Sequence, residues 1–410
     1  MNVSAKSTLH GCTSCQLCAA ICPKSAISIV LDYEGFYRPI VDDALCVDCG
    51  LCVNSCYKYD AEVSDNNDSV LKDSKLYGAY VNDKNVLEQT SSGGIADLLA
   101  HELFRSGYKC IGVVYDSSLD CAIDYIASSE SDLDRFRGSK YIQSYTLDAF
   151  KTLVKANKDD KYAVWGTPCH IYALDKYLRS RNRRDNYMLI DLYCHGCPSM
   201  SVWKKYLSEV RSISGIDRVD NVNFRSKVNG WGPFRVSIES RGRQVYNSNT
   251  RHNEFFDLFF SDCLLNSACV DCKLRGTLEY TDIRLGDFWG KQYVLNNEGV
   301  SAVSLVSKQA KDLFNRVSNK LCFREERYED FLPWQSWGKE YSVDLSVRAE
   351  LLQQLSDNSK SIKDIIRVYQ QSLPLKTRVV QRAKRIISYL PRDLEKSIRY
   401  LYYKLFQGAL

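Results

Sequence analysis

Two runs of four cysteines near the start of the chain constrain its fold more than any other feature. The first run is Cys12-x2-Cys15-x2-Cys18-x3-Cys22, followed by Pro23, and the second is Cys46-x2-Cys49-x2-Cys52-x3-Cys56. In proteins with two [4Fe–4S] clusters, this spacing lets three thiolates of one run bind a cluster while the fourth binds the other cluster. The spacing therefore predicts two ligand sets, which are Cys12, Cys15, Cys18 and Cys56 for one cluster, and Cys46, Cys49, Cys52 and Cys22 for the other.

Zinc ribbons and disulfides are the alternative interpretations of these cysteines. A zinc ribbon uses pairs of C-x2-C and leaves the x3-spaced cysteines unexplained. Disulfides form in oxidising compartments, whereas the sequence MNVSAKSTLH has no apolar signal-peptide core and the 17 cysteines are an odd number. We therefore expect a cytoplasmic protein whose residues 1–60 form a two-cluster ferredoxin domain, with a hairpin of strands at 26–30 and 37–41. Tyr57 stands where proline follows the first run.

The rest of the 410-residue chain has the pattern of a mixed α/β protein. Residues 61–75 are polar and rich in Asn, Asp and Ser, which is typical of a linker. Beyond them, short apolar segments such as 109–115, 162–165 and 188–192 alternate with amphipathic ones such as 95–106. This alternation predicts a mixed α/β domain, with an N-terminal part at 76–160 and a C-terminal part at 161–345. No G-x-G-x-x-G follows a strand, so a standard dinucleotide fold is not expected.

Several loops of this domain contain chemically useful side chains. Ser91-Ser92-Gly93-Gly94 precedes a helix and offers either a phosphate-binding helix end or an ordinary N-cap. Gly166-Thr167-Pro168-Cys169 and Cys194-His195-Gly196-Cys197 follow strands, where α/β ligand sites form. Together with Cys269-x2-Cys272, Cys169 and Cys194 offer a third set of four thiolates. From spacing alone, a zinc site, a redox pair and incidental cysteines stay open beside a third cluster.

The order of these motifs resembles that of one known family. The ordered set is completed by Gly138-Ser139-Lys140-Tyr141-Ile142-Gln143-Ser144 and by Gly286-Asp287-Phe288-Trp289-Gly290. From about Leu76 to Gly290 the chain is similar to the coenzyme F420 hydrogenase/dehydrogenase beta-subunit family. The ferredoxin module precedes this region, as in many bacterial members.

The resemblance implies an iron–sulfur flavoprotein oxidoreductase. It implies FAD and a third [4Fe–4S] cluster, with Cys169, Cys194, Cys269 and Cys272 as the matching ligands. It further implies electron transfer between the clusters and the flavin, and hydride exchange with a deazaflavin of the coenzyme F420 type or with another acceptor. Bacterial members with this front end resemble proteins associated with cell-surface polysaccharide synthesis, so the small-molecule substrate stays unidentified. The alternative is a non-catalytic electron-transfer subunit or scaffold that serves a redox partner protein.

Individual positions have expected roles within this scheme. The cofactor-binding set is expected to comprise Ser91, Ser92, Gly93, Gly94, Lys140, Thr167 and Asp287. Lys140 offers a cation for the flavin, and His195 is the best-placed proton donor, so these two are the catalytic candidates. A surface lysine and a loop-stabilising histidine are the plain alternatives. Cys197 and Cys263 are spare thiols that are able to replace a predicted ligand.

The C-terminal residues 346–410 form the third expected unit, a basic amphipathic helical tail. Residues 373–410 contain nine Lys and Arg but two acids, or +7, although the whole chain is only +5. Such helices bind anionic membrane surfaces, so peripheral contact at the inner face of the cell membrane is one expectation. The other is packing on the chain's own domain or on a partner. No nucleic-acid-binding motif is present, so that class of partner is not expected.

Overall fold

The computed structural model describes residues 1–5, 8–61, 63, 68–228, 230–232, 234–248, 253–387, 389–390 and 392–405. The strands, in chain order, are β1 Ile27–Leu31, β2 Tyr37–Val41, β3 Lys75–Val81, β4 Lys109–Asp116, β5 Cys121–Ile126, β6 Ser144–Tyr145, β7 Tyr162–Trp165, β8 Tyr187–Leu192, β9 Asn221–Asn223, β10 Ser237–Ser240, β11 Arg243–Asn247, β12 Ile283–Asp287, β13 Ser301–Leu305 and β14 Leu321–Glu326.

The α-helices are α1 Leu17–Ala20, α2 Leu51–Asn54, α3 Asp68–Asp73, α4 Lys84–Gln89, α5 Ile95–Arg105, α6 Leu147–Val154, α7 Pro168–Ser180, α8 Met200–Ser214, α9 Glu254–Phe259, α10 Lys308–Val317, α11 Tyr328–Phe331, α12 Leu345–Ser356, α13 Ile362–Ser372, α14 Leu375–Ile387 and α15 Arg392–Leu405. Short 3₁₀ turns cover Tyr57–Tyr59, Glu130–Phe136, Arg184–Asn186, Ser267–Cys269, Lys273–Gly276, Ser318–Lys320 and Leu332–Trp334.

The N-terminal module contains the expected hairpin. Strands β1 and β2 pair antiparallel, with Ile27 opposite Val41 and Leu31 opposite Tyr37. One short helix follows each group of closely spaced cysteines, since α1 begins within the first run and α2 within the second. The sequence-based prediction of this hairpin is confirmed to within one residue.

A nine-stranded mixed sheet forms the centre of the following domain. Its strand order is β14-β3-β13-β12-β8-β7-β4-β5-β6, and the neighbours β12, β8, β7 and β4 run parallel. Strand β13 runs antiparallel to both β12 and β3, so the carboxyl end of β3 lies at the same edge as that of β12. The mixed α/β prediction is confirmed, and the loops that follow β3, β7, β8 and β12 leave one edge of the sheet.

The segment expected as a linker, residues 61–75, contains regular structure. Helix α3 spans Asp68–Asp73 and β3 begins at Lys75. Residues 62 and 64–67 of this segment lie outside the described residues. The chain thus enters the large sheet immediately after a short helix.

The helices of the expected tail differ in their environment. Leu351 of α12 and Ile365 of α13 are fully buried in the core cluster that also contains Trp203 and Phe255. Helix α14 has no buried residue among those described. Residues 388, 391 and 406–410 of the expected tail lie outside the described residues. The exposed basic part of the tail therefore begins at α14.

The N-terminal module packs directly against the α/β domain. Leu17, Ile21 and Tyr57 share a buried cluster with Phe150 and Tyr172. At Gly11 the two parts are so close that an added Cβ would lie 2.9 Å from the Cα of Ala268. Interior packing of this density holds the module in one position against the loop that precedes Cys269.

Candidate functional site: three groups of thiols

The first group of thiols lines a cavity of the N-terminal module next to the α/β domain. Cys12, Cys15, Cys18 and Cys56 border it, together with Cys52 at its rim. Burial raises the pKa of Cys15 to about 11 and that of Cys56 to about 12, and neighbouring thiols add to both shifts. Buried thiols of this kind become thiolates when a metal centre supplies the compensating positive charge. The cavity therefore fits an iron–sulfur cluster.

The second group lines another cavity, at the outer end of the module. Cys22, Cys46, Cys49 and Cys52 border it. Cys49 is exposed, so this cavity lies nearer to solvent than the first. In each cavity, the x3-spaced cysteine of one run joins three cysteines of the other run, as the ferredoxin spacing predicts. The two ligand sets themselves stay predictions.

A third group of five thiols lies at the edge of the large sheet. Cys169 stands in the first turn of α7, and Cys194 and Cys197 follow β8. Cys269 ends the 3₁₀ turn Ser267–Cys269, and Cys272 is the N-cap of the next one, Lys273–Gly276. Burial raises the pKa of Cys169, and the neighbouring charges of Cys272, Cys194 and Cys269 raise it further. Cys197 belongs to the same group, since Cys269, Cys169 and Cys194 are its charged neighbours. The fold thus brings together the four predicted ligands and one of the two spare thiols.

The spacing of the sulfur atoms distinguishes a cluster from a single metal ion. A tetrahedral Zn²⁺ with Zn–S bonds of about 2.3 Å holds its sulfurs about 3.8 Å apart. Among the described residues, the trio of possible metal ligands within 4.8 Å of one another consists of Asp97, His101 and Asp134, and no trio of cysteines meets that limit. In this structure, no three of the described thiols therefore have the spacing of a single zinc site.

Two arginines that sequence reasoning missed hold the loops of the third group. Arg275 Nη2 donates to the carbonyls of Cys269 at 2.5 Å and His195 at 3.0 Å, so one guanidinium joins two cysteine loops. Arg284 forms a buried pair with Asp191, with Nε donating to Oδ1 at 2.8 Å and Nη2 to Oδ2 at 2.5 Å. Both arginines oppose the burial effect on the pKa of Cys194. The sequence signal for Arg284 was its place between the apolar residues Ile283 and Leu285 of a strand, where a charged side chain needs a partner.

His195 is held by hydrogen bonds at both ring nitrogens. Its Nε2 lies 2.7 Å from Asp262 Oδ1, and its Nδ1 lies 3.2 Å from Ser336 Oγ and 3.1 Å from the Tyr341 hydroxyl. The arrangement is that of a loop-stabilising histidine beside Cys194. Its catalytic role stays a prediction.

The expected flavin-binding residues converge on the same sheet edge, but most make internal contacts. Ser91 Oγ accepts from the Ser139 backbone at 2.8 Å, and Ser92 Oγ donates to the Val300 carbonyl at 2.9 Å. Gly93 N–H donates to Ser301 Oγ at 2.9 Å, and Gly94 (φ +78°) is the N-cap of α5. An added Cβ on Gly93 would clash with the Ala79 carbonyl, so glycine is required there by packing.

Lys140, Thr167 and Asp287 also have protein partners. Lys140 Nζ donates to three backbone carbonyls at the end of one 3₁₀ turn, at 2.8–3.2 Å. Thr167 Oγ1 lies 3.1 Å from Cys169 Sγ. Asp287 Oδ2 accepts from Arg225 Nη1 at 2.5 Å, and its Oδ1 accepts from the Trp231 indole at 3.2 Å. Arg225 and the neighbouring Lys227 were not predicted from the sequence.

A hydrogen bond joins the first and third thiol groups. Tyr57, which follows Cys56, accepts at its hydroxyl from the backbone N–H of Lys273, which follows Cys272, at 3.0 Å. A second connection runs through Arg38, which donates to the Cys12 carbonyl at 2.6 Å and reaches Asn266 Oδ1 at 3.4 Å. The tyrosine that replaces the expected proline therefore connects the two cysteine-bearing loops.

Comparison with known proteins agrees with the domain types found here. Residues 11–59 match the 4Fe-4S dicluster domain, and residues 159–330 match the family described as the C terminus of the coenzyme F420 hydrogenase/dehydrogenase beta subunit. The chain is thus an iron–sulfur protein related to hydrogenase and dehydrogenase subunits, and the family resemblance drawn from its motifs is confirmed.

An uncharacterized protein of Methanocaldococcus jannaschii is 26% identical over 341 residues, which are 75% of this chain and 86% of the relative. A chain of the F420-reducing [NiFe] hydrogenase complex of Methanosarcina barkeri is 17% identical, with a TM-score of 0.45 over 75% of this chain and 93% of that chain. Among the described helices, none has the length and apolar character needed to cross a bilayer.

Proposed function

We propose that this chain is an iron–sulfur flavoprotein oxidoreductase that exchanges electrons between a redox partner and an unidentified small-molecule substrate. The observation that carries the proposal is the succession of thiol groups, which runs from the solvent-near cavity, through the cavity at the domain contact, to the five thiols at the sheet edge. When bound, iron–sulfur clusters supply one-electron transfer and a flavin supplies two-electron storage.

The protein's own residues perform three tasks in this proposal. The cysteines of the two runs would hold two clusters in the N-terminal module, and Cys169, Cys194, Cys269 and Cys272 would hold a third. Tyr57 fixes the distance between the first and third groups through its bond to the Lys273 backbone. Arg275 holds the loops that contain the third group. Rigid support of this kind keeps redox centres within reach of one another without motion at each turnover.

The fit of a flavin rests on cationic side chains at the edge of the sheet. Arg225 is almost completely buried and retains one nitrogen, Nη2, that has no hydrogen-bond partner within the described part of the chain. An unpartnered buried donor is costly unless a ligand satisfies it. This donor lies near the expected cofactor-binding residues, so it supports an anionic cofactor there. FAD itself, as well as any use of a deazaflavin or link to polysaccharide synthesis, stays a prediction.

The electron-carrier hypothesis is the competing function, and one experiment separates the two. The full-length protein is purified anaerobically, and its iron, sulfide and flavin are quantified together. About twelve iron atoms with bound flavin that reduced ferredoxin can reduce would support the oxidoreductase. About twelve iron atoms without flavin would favour a carrier or scaffold, and about eight would restrict the clusters to the N-terminal module.

We also propose that the protein contacts an anionic membrane surface through α14. The apolar side chains Leu375, Val379 and Ile386 are exposed by 70%, 56% and 66%. The same helix contains five Lys and Arg residues and no acid. An apolar stripe bordered by lysine and arginine suits the interface of anionic lipids. Co-sedimentation with anionic but not neutral vesicles tests this contact.

A further inference from the structure

Arg225 occupies a buried position beside the third thiol group. Its side chain is 2% exposed, and Nη1 donates to Asp287 Oδ2 at 2.5 Å and to the Tyr141 hydroxyl at 2.9 Å. Tyr141 in turn meets Phe259 edge-on at 5.6 Å, and Phe259 lies 5.2 Å from the ring of His195, which follows Cys194. Two aromatic rings therefore link Arg225 to the loop that contains a predicted ligand of the third cluster.

The second terminal nitrogen of Arg225 has no protein partner among the described residues. Its Nη2 is buried and makes no hydrogen bond. The guanidinium carbon lies 4.3 Å from the ring centre of Phe234 and 5.5 Å from that of Trp289, so aromatic faces surround it. Stacking on aromatic faces satisfies the plane of a guanidinium, whereas its N–H groups still require an acceptor in that plane.

The local charge balance favours an anionic acceptor. Lys227 Nζ lies beside Arg225 and donates to the Leu87 and Ser92 carbonyls, each at 2.6 Å. Burial lowers the pKa of Lys227 to about 8, the charge of Arg225 adds to this effect, and Asp287 opposes it. Glu88 and Glu298 also act on Lys227, but Glu298 is paired with Lys84. Among the described residues, Arg225 and Lys227 thus supply two cations beside the carboxylate of Asp287.

We propose that Arg225 Nη2 donates to the pyrimidine edge, N1 and C2=O, of a flavin ring that is reduced next to the third thiol group. The proposal rests on the flavoprotein function inferred above. Two electrons from the iron–sulfur centres and one proton from solvent give the reduced ring one negative charge at this edge. Arg225 stabilises that anion more than the neutral oxidised ring, so it raises the midpoint potential of the flavin. Tyr141 and Asp287 act as positioning residues for the guanidinium.

The place of Arg225 favours the ring over the remote phosphates of the cofactor. Electrons have to reach the ring from the third thiol group, and Tyr141 and Phe259 connect Arg225 to the loop of Cys194. A donor that contacted a pyrophosphate would instead bind the oxidised and reduced cofactor equally, because the charge of phosphate does not change with ring reduction. The two contacts therefore differ in their effect on the potential.

The test uses the full-length holoprotein with iron and flavin contents measured first. Arg225→Lys keeps a cation for Asp287 but removes the Nη2 donor, and Arg225→Gln removes both. Arg218→Gln, at an exposed arginine paired with Asp220, is the matched control. The midpoint potential of the flavin is measured by anaerobic spectroelectrochemical titration. We expect Arg225→Lys to weaken binding of the reduced relative to the oxidised flavin at least tenfold, which lowers the two-electron potential by about 30 mV or more.

The outcomes separate this inference from the function on which it rests. Wild-type protein without flavin would overturn both. If the wild type contains flavin and Arg225→Lys keeps the wild-type midpoint potential, the role of Arg225 is refuted and the flavoprotein function stands. This holds even if the affinity for flavin falls, because an equal loss of affinity for the oxidised and the reduced flavin indicates a phosphate contact. If Arg225→Gln does not fold, as judged by lost iron, Arg225→Lys still decides the matter. The control has to keep the wild-type potential.

Discussion

Replacement of Tyr57 by phenylalanine tests the connection between the N-terminal module and the third thiol group. The substitution keeps the ring, which stacks on His10 at 4.2 Å and meets Tyr172 edge-on at 5.8 Å, and removes the hydroxyl that accepts from Lys273 N–H at 3.0 Å. A partly buried N–H that loses its acceptor costs about 1–3 kcal/mol. If the Lys273 amide exchanges by local opening, its hydrogen exchange should accelerate about 5- to 150-fold.

Hydrogen-exchange mass spectrometry of peptides that cover residues 269–276 measures this change. Tyr59→Phe is the control, because the Tyr59 hydroxyl donates to the Ala5 carbonyl at 3.3 Å, within the N-terminal module. Iron content should be equal in both variants. If electrons pass through this connection, rapid-freeze EPR should show slower reduction beyond the N-terminal module in Tyr57→Phe only. Identical amide exchange in the wild type and Tyr57→Phe would refute the bridging role.

Three further changes have defined outcomes. Cys269→Ser combined with Cys197→Ser should lower the iron content from about twelve to about eight atoms, as measured by iron analysis, whereas Cys263→Ser, at a buried thiol outside the group of five, should leave it unchanged. Deletion of residues 373–410 should abolish co-sedimentation with anionic vesicles and leave the iron content intact, and binding that persists would contradict the membrane contact. Burial raises the pKa of Asp124 from 3.8 to about 7, so the folded state keeps a proton that the unfolded state releases. Stability should therefore fall as the pH rises from about 4 to about 7, by at most about 4 kcal/mol, and Asp124→Asn should flatten this slope in denaturant unfolding.

The parts of the fold that were predictable from the sequence are those fixed by local geometry. Cluster ligation demands a particular spacing of cysteines, so the two runs and the hairpin between them were recognisable without tertiary information. The strands at 109–116, 162–165 and 187–192 are likewise short apolar segments with clear boundaries. Such signals depend on residues that are close in the chain.

The missing parts depend on contacts between distant residues. Arg275 and Arg225 resemble surface arginines in the sequence, because their partners are carbonyls and carboxylates that only the folded chain brings near. The sequence predicts Lys140 as a cofactor contact, whereas in the fold it caps a 3₁₀ turn whose carbonyls have no signature in the sequence. The first helices expected in the tail, α12 and α13, pack in the core because their apolar faces find α8 and α9. Tertiary packing decides each of these cases.

The fifth thiol gives the third group a property that the other two lack. A cubane needs four thiolates, and Cys197 lies with Cys169, Cys194 and Cys269 while also facing the Arg38 cation of the N-terminal module. Arg38 donates to the Cys12 carbonyl, so Cys197 stands between the first and third groups. Burial raises the pKa of Cys197 and Arg38 opposes this rise, so a cluster that has lost a ligand would supply the remaining positive charge for a Cys197 thiolate to replace it. If the third cluster is present, a Cys169→Ser variant should therefore retain more iron than Cys169→Ser combined with Cys197→Ser, whereas equal iron in the two variants would make Cys197 a plain buried cysteine.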